Sequence, residues 1–162
     1  MKNITIVNEK DEVVGAVTEK ELYEKKYPHR IVHVLLFNSK GEIMLQMRSQ
    51  TKSYAPAHWV TSAGGRVDEG ETYEEAAYRE MREEIGLTTE LKKLYQDYYE
   101  RKGSGLKIFM TIFSAQYQGE QLALQESEVE RVEFFGVEEI KKMIRNGEKI
   151  TDELRFIFEK HF

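Results

Sequence analysis

Short apolar runs recur along the first half of the chain in the pattern of β-strands. Residues 4–7 and 13–17 flank a polar, turn-like segment and predict a β-hairpin. A near-continuous apolar run over 31–37 predicts a buried strand. The alternating segment 42–48 follows a polar turn, which predicts that it pairs with that buried strand as the second half of a hairpin.

Helices are indicated by their capping residues. A threonine followed three residues later by glutamate, at Thr18 and again at Thr72, predicts helices over 18–27 and 73–85. Gly86 supplies the left-handed residue that ends the second of them. Two more helices are predicted near the end of the chain, over 137–146 and 151–161.

The remaining segments complete a mixed architecture. Further strands are predicted over 59–62, 91–101, 106–118 and 131–135, with a flexible glycine-containing break at 63–65. Strands on both sides of a central helix, with helices at the end, predict an α+β fold in which a mixed β-sheet lies between helices as an α/β/α sandwich. A length of 162 residues without a visible linker predicts one domain, 1–162, whose N-terminal hairpin and short helix occupy 1–28.

Composition and charge exclude several classes of function. The net charge of −5 lacks the basic surplus of a general nucleic-acid binder, so no nucleic-acid partner is expected. No stretch approaches the roughly 18 apolar residues of a membrane span, and no signal-peptide core is visible at the N-terminus. The chain has no cysteine, which excludes disulfides and thiol nucleophiles and fits a reducing cytoplasm as the expected location.

The helix over 73–85 carries more negative charge on one face than its fold requires. Glu80, Glu83 and Glu84 fall together on a helical wheel, and Ala76, one turn earlier, is expected to leave open space beside them. Each like-charged pair at this spacing costs about 0.2–0.5 kcal/mol. A solvated acidic surface is one explanation, and a site for a divalent cation such as Mg²⁺, which prefers clustered oxygen ligands, is the other.

The second explanation is supported by a resemblance over residues 65–87. This stretch resembles the Nudix box, in which Gly, Glu, Arg-Glu, Glu-Glu and Gly recur at set intervals. The matching residues are Gly65, Glu71, Arg79, Glu80, Glu83, Glu84 and Gly86. The resemblance implies a Nudix hydrolase that cleaves a diphosphate linkage in a nucleoside diphosphate derivative or a similar organic diphosphate, with Mg²⁺ or Mn²⁺ as cofactor.

Roles follow from the same resemblance. The implied metal ligands are the carboxylates of Glu80, Glu83 and Glu84 and the main-chain carbonyl of Gly65. The implied catalytic residues are Glu71, Arg79, Glu80 and Glu83, with Arg79 pairing with Glu71 and orienting the carboxylates. Since some Nudix enzymes take their general base from a later loop, Glu126 and Glu128 are alternatives to Glu83 as the base.

Substrate-binding candidates are basic residues near the box. Arg48, at a strand end, resembles the basic residue that related sequences place on phosphate, and Lys52 and Arg66 are weaker candidates, as is Arg101. A purely structural role is the alternative for each of them. Aromatic residues and histidines are expected to pack within the fold or to be satisfied by hydrogen bonds rather than to act on substrate. These residues are Tyr54, Trp59, Tyr98, Tyr99, His29 and His33.

Segments outside the box resemble the branch of isopentenyl-diphosphate-isomerase-like proteins. The isomerases need a cysteine just before the box and a metal-binding histidine two positions later, where this chain has Gly64 and Arg66. The resemblance therefore implies hydrolysis, and isomerisation or ligand sensing without catalysis are the alternatives. The expected partner is a small organic diphosphate or nucleotide, with no membrane partner, and a homodimer is compatible with the sequence.

Overall fold

The computed structural model describes residues 2–162, which form nine strands and four helices. In chain order these are β1 (Ile4–Val7), β2 (Val13–Val17), α1 (Glu19–Lys25), β3 (His29–Phe37), β4 (Ile43–Arg48), β5 (Trp59–Val60), β6 (Ala63–Arg66), α2 (Tyr73–Ile85), β7 (Lys92–Glu100), β8 (Lys107–Gln116), β9 (Val129–Phe135), α3 (Val137–Arg145) and α4 (Asp152–His161). The predicted α+β class is confirmed.

Strand β3 is the centre of the sheet because its apolar run is buried along almost its whole length. It runs parallel to β8 from His29↔Ile108 to Phe37↔Gln116, while β1 and β6 pair with it in the antiparallel sense. The sheet is therefore mixed, as predicted. The segment 63–65, predicted to be a flexible break, instead belongs to β6, since pairing with β3 orders a backbone that its glycines leave free.

Strand β4 forms as predicted but pairs differently. It meets β3 only at Phe37↔Ile43 and pairs over its full length with β9, from Ile43↔Phe135 to Arg48↔Val129. Five successive residues of β4, 43–47, are buried, so both faces of this strand are covered. The turn before it was visible in the sequence, whereas its main partner lies some 90 residues further on and was not.

Helices cover both faces of the sheet. Helix α2 packs on one face through Met81 and Ile85, and α3 and α4 pack on the other through Ile140, Leu154 and Ile157. The prediction that Ala76 leaves open space was wrong: its side chain is fully buried in the α2 core. In the part of the chain that the structure describes, no helix is long and apolar enough to cross a membrane.

The ends of α2 are set by local sequence. Thr72 and Glu75 exchange both hydrogen bonds of a capping box, and Gly86 adopts φ 68° at the C-terminus. A Cβ at Gly86 would also lie 2.7 Å from the Cβ of Ala123, so a larger residue is excluded there by space as well as by backbone conformation. The helix occupies its predicted bounds, which places its glutamates at known positions along its axis.

Candidate active site

A cavity of about 300 Å³ opens between α2, the edges of β3, β4 and β6, and the loop after β4. Nine of the residues predicted for the site, alternatives included, line it: Arg48, Lys52, Gly65, Arg66, Glu80, Glu83, Glu84, Arg101 and Glu128. Arg79 and Glu71 lie behind this wall and reach it through hydrogen bonds. The cavity therefore brings together residues from segments that are far apart in the sequence.

Glu80 and Glu84 form a closely coupled acidic pair in the cavity wall. Burial raises the pKa of both carboxyls, and Glu80 raises that of Glu84 further by charge repulsion. Arg79 opposes the shift at Glu80 but does not cancel it. The pair thus holds negative charge at a cost that a nearby cation would offset.

The orientation of Glu84 is set by two donors. Its Oε1 accepts a hydrogen bond from the Gly64 N–H at 3.0 Å and another from Gln46 Nε2 at 3.1 Å. Its Oε2 accepts none from residues 2–162, and the same is true of Glu80 Oε2. One oxygen of each of these two carboxylates is therefore left without a donor from the described residues.

The two glycines of β6 lie too close to their neighbours to carry a side chain: Gly65 lies against the Glu80 carboxylate, and Gly64 lies against β3. A Cβ at Gly65 would lie 2.3 Å from Glu80 Oε1, and one at Gly64 would lie 2.7 Å from the Val32 carbonyl oxygen. Because real Cβ atoms do not approach so closely, either substitution would displace the backbone or the carboxylate. This close approach is the structural reason for Gly-Gly at the start of the motif.

Arg79 forms hydrogen bonds with three glutamates of the box. Its Nε donates to Glu71 Oε2 at 2.7 Å and its Nη1 donates to Glu80 Oε1 at 2.8 Å and to Glu83 Oε2 at 3.3 Å. Although burial opposes the shift, hydrogen bonds from Arg79 lower the pKa of Glu71. The geometry agrees with the expected pairing of Arg79 with Glu71.

Glu83 stands apart from the buried pair. Its side chain is 47% exposed and contacts Arg79, the neighbour one turn earlier. Among residues 2–162, no three Asp, Glu or His side chains converge into a closed set of metal ligands. The oxygens that Glu80 and Glu84 leave free, together with the charge they hold, nevertheless fit a hard divalent cation. The ligand roles of Glu80, Glu83, Glu84 and the Gly65 carbonyl all stay predictions.

Gln46 is a site residue that the sequence analysis did not identify. It lies buried on β4, 38 positions from Glu84 in sequence, and its Nε2 donates to both Glu84 Oε1 and the Ser62 carbonyl oxygen. A flipped amide would place its oxygen against both of these acceptors, so the two bonds determine the orientation of the side chain. Gln46 thereby restricts the rotation of the Glu84 carboxylate.

We expect Gln46→Met, which keeps the volume but removes the donor, to raise the metal concentration needed for half-maximal stabilisation. The expected increase is about 10-fold or more, the scale for losing a partner that orients a metal ligand. Thermal melts over a series of Mn²⁺ concentrations measure it. Thr111→Val is the matched control, because Thr111 is equally buried and its hydroxyl has no partner in the described chain. An unchanged metal midpoint in Gln46→Met would contradict the role.

A second polar cluster forms another part of the cavity wall. Glu153 of α4 is 4% exposed, accepts a hydrogen bond from the Tyr54 hydroxyl at 2.8 Å and pairs with Arg101 at 2.6 Å. The Arg101 guanidinium lies 4.1 Å from the centre of the Tyr54 ring, and Arg48 Nε donates to the Tyr54 carbonyl oxygen at 3.0 Å. This wall presents two arginines to the cavity, and Glu153, which orders it, was not predicted.

The cations differ in their partners. Lys52 pairs with Glu128, and Arg66 pairs with Glu19 at 3.4 Å. Arg101 pairs with Glu153. The guanidinium of Arg48 pairs with no carboxylate among residues 2–162, so among the four substrate-binding candidates it is the one whose charge is not neutralised within the described chain. Of the two alternative bases, Glu128 lines the cavity and Glu126 does not.

The structural roles expected for aromatic residues and histidines hold for most of them. Trp59 is buried in the core and Tyr98 lies outside the cavity, whereas Tyr54 is part of the cavity wall described above. Burial lowers the pKa of both His29 and His33 to about 4, so both are neutral near pH 7. His33 was expected to be satisfied, but its Nε2 is buried without a partner among residues 2–162.

Comparisons with known proteins agree with this geometry. A model of the NUDIX domain matches residues 27–154. The chain is 33% identical over 132 residues to a Nudix hydrolase of Pseudomonas aeruginosa, covering 81% of this chain and 76% of the relative. It is 32% identical over 155 residues to a Nudix hydrolase of Listeria monocytogenes, covering 93% and 89%. A crystal structure from Deinococcus radiodurans is similar over 99% of both chains, with a TM-score of 0.86 and 27% identity.

Proposed function

The chain belongs to the Nudix hydrolase family, and we propose that, as a Nudix pyrophosphohydrolase, it uses Mg²⁺ or Mn²⁺ to cleave the diphosphate linkage of a nucleoside diphosphate derivative or a similar small organic diphosphate. The observation that carries the proposal is the largely shielded pair Glu80 and Glu84, each with an oxygen free of protein donors in the described chain, on the wall of a cavity that Arg48 also lines.

The role proposed for each site residue follows from its charge. A bound divalent cation would neutralise phosphate oxygens and make an attacking water more acidic. Glu80 and Glu84 would hold it, while Arg79 keeps Glu80 in place from behind. Elsewhere on the cavity wall, the guanidinium of Arg48 would bind a phosphate oxygen, for which its planar fork is suited. Glu83 would accept the proton of the water, with Glu128 as the alternative base.

Although segments of this chain resemble the isomerase-like branch, the chain lacks the cysteine that isomerisation requires. The cysteine of those isomerases corresponds to Gly64, where a Cβ would lie 2.7 Å from the Val32 carbonyl oxygen and 3.0 Å from His33 Nδ1. Glycine has no side chain to carry a proton, and the backbone leaves no room for one. We therefore propose that the chain does not isomerise isopentenyl diphosphate.

We expect hydrolysis of the diphosphate linkage in at least one organic diphosphate, and we expect this activity to disappear with chelator and return with Mg²⁺ or Mn²⁺. The metals should also raise the melting temperature, because a ligand that binds only the native state shifts unfolding by mass action. A screen measures phosphate or pyrophosphate release from nucleoside di- and triphosphates and isopentenyl diphosphate, nucleoside monophosphate formation from nucleotide sugars, and isomer formation from isopentenyl diphosphate. Chelator-resistant turnover together with identical melting curves would contradict metal dependence. Formation of dimethylallyl diphosphate above the no-enzyme level would favour the isomerase. Ligand binding without turnover would favour a non-catalytic sensor.

A further inference from the structure

Helix α1 reaches the cavity although it precedes the segment that the NUDIX domain model matches, 27–154. Its Leu22 is fully buried in a small core with Ile4 and Ile6 of β1, which anchors the helix. Glu19 and Tyr23, one turn apart on α1, both line the cavity. The N-terminal hairpin and helix therefore add two side chains to the wall of the candidate active site.

Tyr23 is held at this wall by polar and aromatic contacts. Its hydroxyl accepts a hydrogen bond from Arg66 Nη1 at 3.0 Å, and the Arg66 guanidinium carbon lies 5.7 Å from the ring centre. The ring of His29 meets it edge-on, with the centroids 6.5 Å apart. Glu19 pairs with the same Arg66 nitrogen at 3.4 Å. These contacts restrict the ring without covering it, since Tyr23 is 37% exposed.

The other tyrosine on the cavity wall is already engaged. Arg101 and Arg48 lie 4.1 Å and 5.5 Å from the centre of the Tyr54 ring, and its hydroxyl donates to Glu153. Burial also raises the pKa of the Tyr54 hydroxyl far above its usual range. Tyr23, by contrast, is 37% exposed. Of the two tyrosines that line the cavity, Tyr23 is the one with ring surface available to a ligand.

The position of Tyr23 relative to the acidic pair suggests what it would bind. Arg66, which contacts the Tyr23 hydroxyl, directly follows Gly65, and the Gly65 backbone packs against the Glu80 carboxylate. Since Tyr23 and Glu80 line the same cavity, one molecule can place a planar group on Tyr23 and a diphosphate near Glu80. Aromatic rings and arginine planes are the surfaces on which nucleobases stack.

We propose that Tyr23 and Arg66 form a subsite for the nucleobase of a mononucleotide substrate, a role that rests on the proposed hydrolysis of organic diphosphates. The subsite favours substrates with a planar ring over those, such as isopentenyl diphosphate, that have none. Because stacking depends on the ring rather than on hydrogen-bonded edges, it discriminates weakly among the bases. Tyr23 would thus bring the N-terminal unit into substrate selection.

The test uses Tyr23→Leu, which removes the ring, Tyr23→Phe, which removes only the hydroxyl, and Tyr98→Leu as the matched control. Tyr98 is 44% exposed and lies outside the cavity, so its replacement changes an exposed tyrosine without touching the site. Affinities for the four ribonucleoside monophosphates and for inorganic pyrophosphate are measured by titration, and KM and kcat are measured for the nucleoside diphosphates that the wild type hydrolyses.

We expect Tyr23→Leu to weaken monophosphate binding and raise KM by about 10-fold or more, with kcat and pyrophosphate affinity changed less than about twofold. Tyr98→Leu should stay near wild type, and Tyr23→Phe, which keeps the ring but loses the hydrogen bond from Arg66, should lose less than Tyr23→Leu. Equal losses for pyrophosphate and monophosphates would overturn the subsite, as would unchanged binding in Tyr23→Leu or a wild type that binds no mononucleotide. Ring-dependent mononucleotide binding without any hydrolysis would uphold the subsite and contradict the proposed function instead.

Discussion

Replacing Glu84 by glutamine is expected to abolish activity at ordinary metal concentrations while making the metal-free protein more stable. Glu84 is 7% exposed and presents Oε2 without a protein donor in the described chain, so the substitution removes one charged oxygen from the predicted metal site. The metal midpoint should rise by more than the roughly 10- to 100-fold that follows loss of a residue orienting a ligand. Turnover measured against Mg²⁺ concentration tests this, and a midpoint equal to that of the wild type would contradict it.

The stability of the metal-free protein provides a second, independent test of the Glu84→Gln variant. Because burial and Glu80 raise the pKa of Glu84 in the folded state, the folded protein binds more protons than the unfolded chain above the ordinary value of 4.5. The contribution of the Glu84 carboxyl to the free energy of unfolding therefore falls as the pH rises from about 5 into the alkaline range. Glu84→Gln removes this dependence, so its stability should match the wild type near pH 5 and exceed it near pH 8. Urea unfolding in chelator at both pH values measures the difference.

The parts of the fold that the sequence predicted are those encoded locally. Helix α2 has its capping box at Thr72 and its stop at Gly86 within a few residues of the ends they determine, and the structure has both. Strand β6 was missed because its glycines indicate freedom when read alone, and the hydrogen bonds that order it come from β3. Local signals therefore identified the elements, whereas pairing partners depended on distant segments.

The same distinction applies to the site. The spacing of the box predicted which glutamates face the cavity, since a helix relates sequence position to direction. The residues that orient or complement them come from elsewhere: Gln46 lies 38 positions from Glu84, and Tyr54 lies 99 from Glu153. Buried polar residues on apolar strands, such as Gln46, are a signal that a search for unexplained polar positions in the sequence would have found.

The two acids proposed as general base can be separated by a pair of substitutions. Glu83 is half exposed and its contact with Arg79, at 3.3 Å, is the longest that this arginine makes with the glutamates of the box. Glu128 also lines the cavity, but it forms an ion pair with Lys52 in which both side chains are largely shielded from solvent. A carboxylate with one long contact can accept a proton with little rearrangement, whereas Glu128 would first have to leave its cation. This difference favours Glu83.

We therefore expect Glu83→Gln to lower kcat by about 100-fold or more at saturating metal, the scale for losing a positioned base. Glu128→Gln should stay within a few-fold of the wild type. Glu126→Gln is the control, since Glu126 lies in the same loop as Glu128 but does not line the cavity. Steady-state kinetics of the three variants at saturating Mg²⁺ measure the difference. If Glu128→Gln instead carried the 100-fold loss and Glu83→Gln retained full kcat, the base would be Glu128, released from Lys52 during the catalytic cycle.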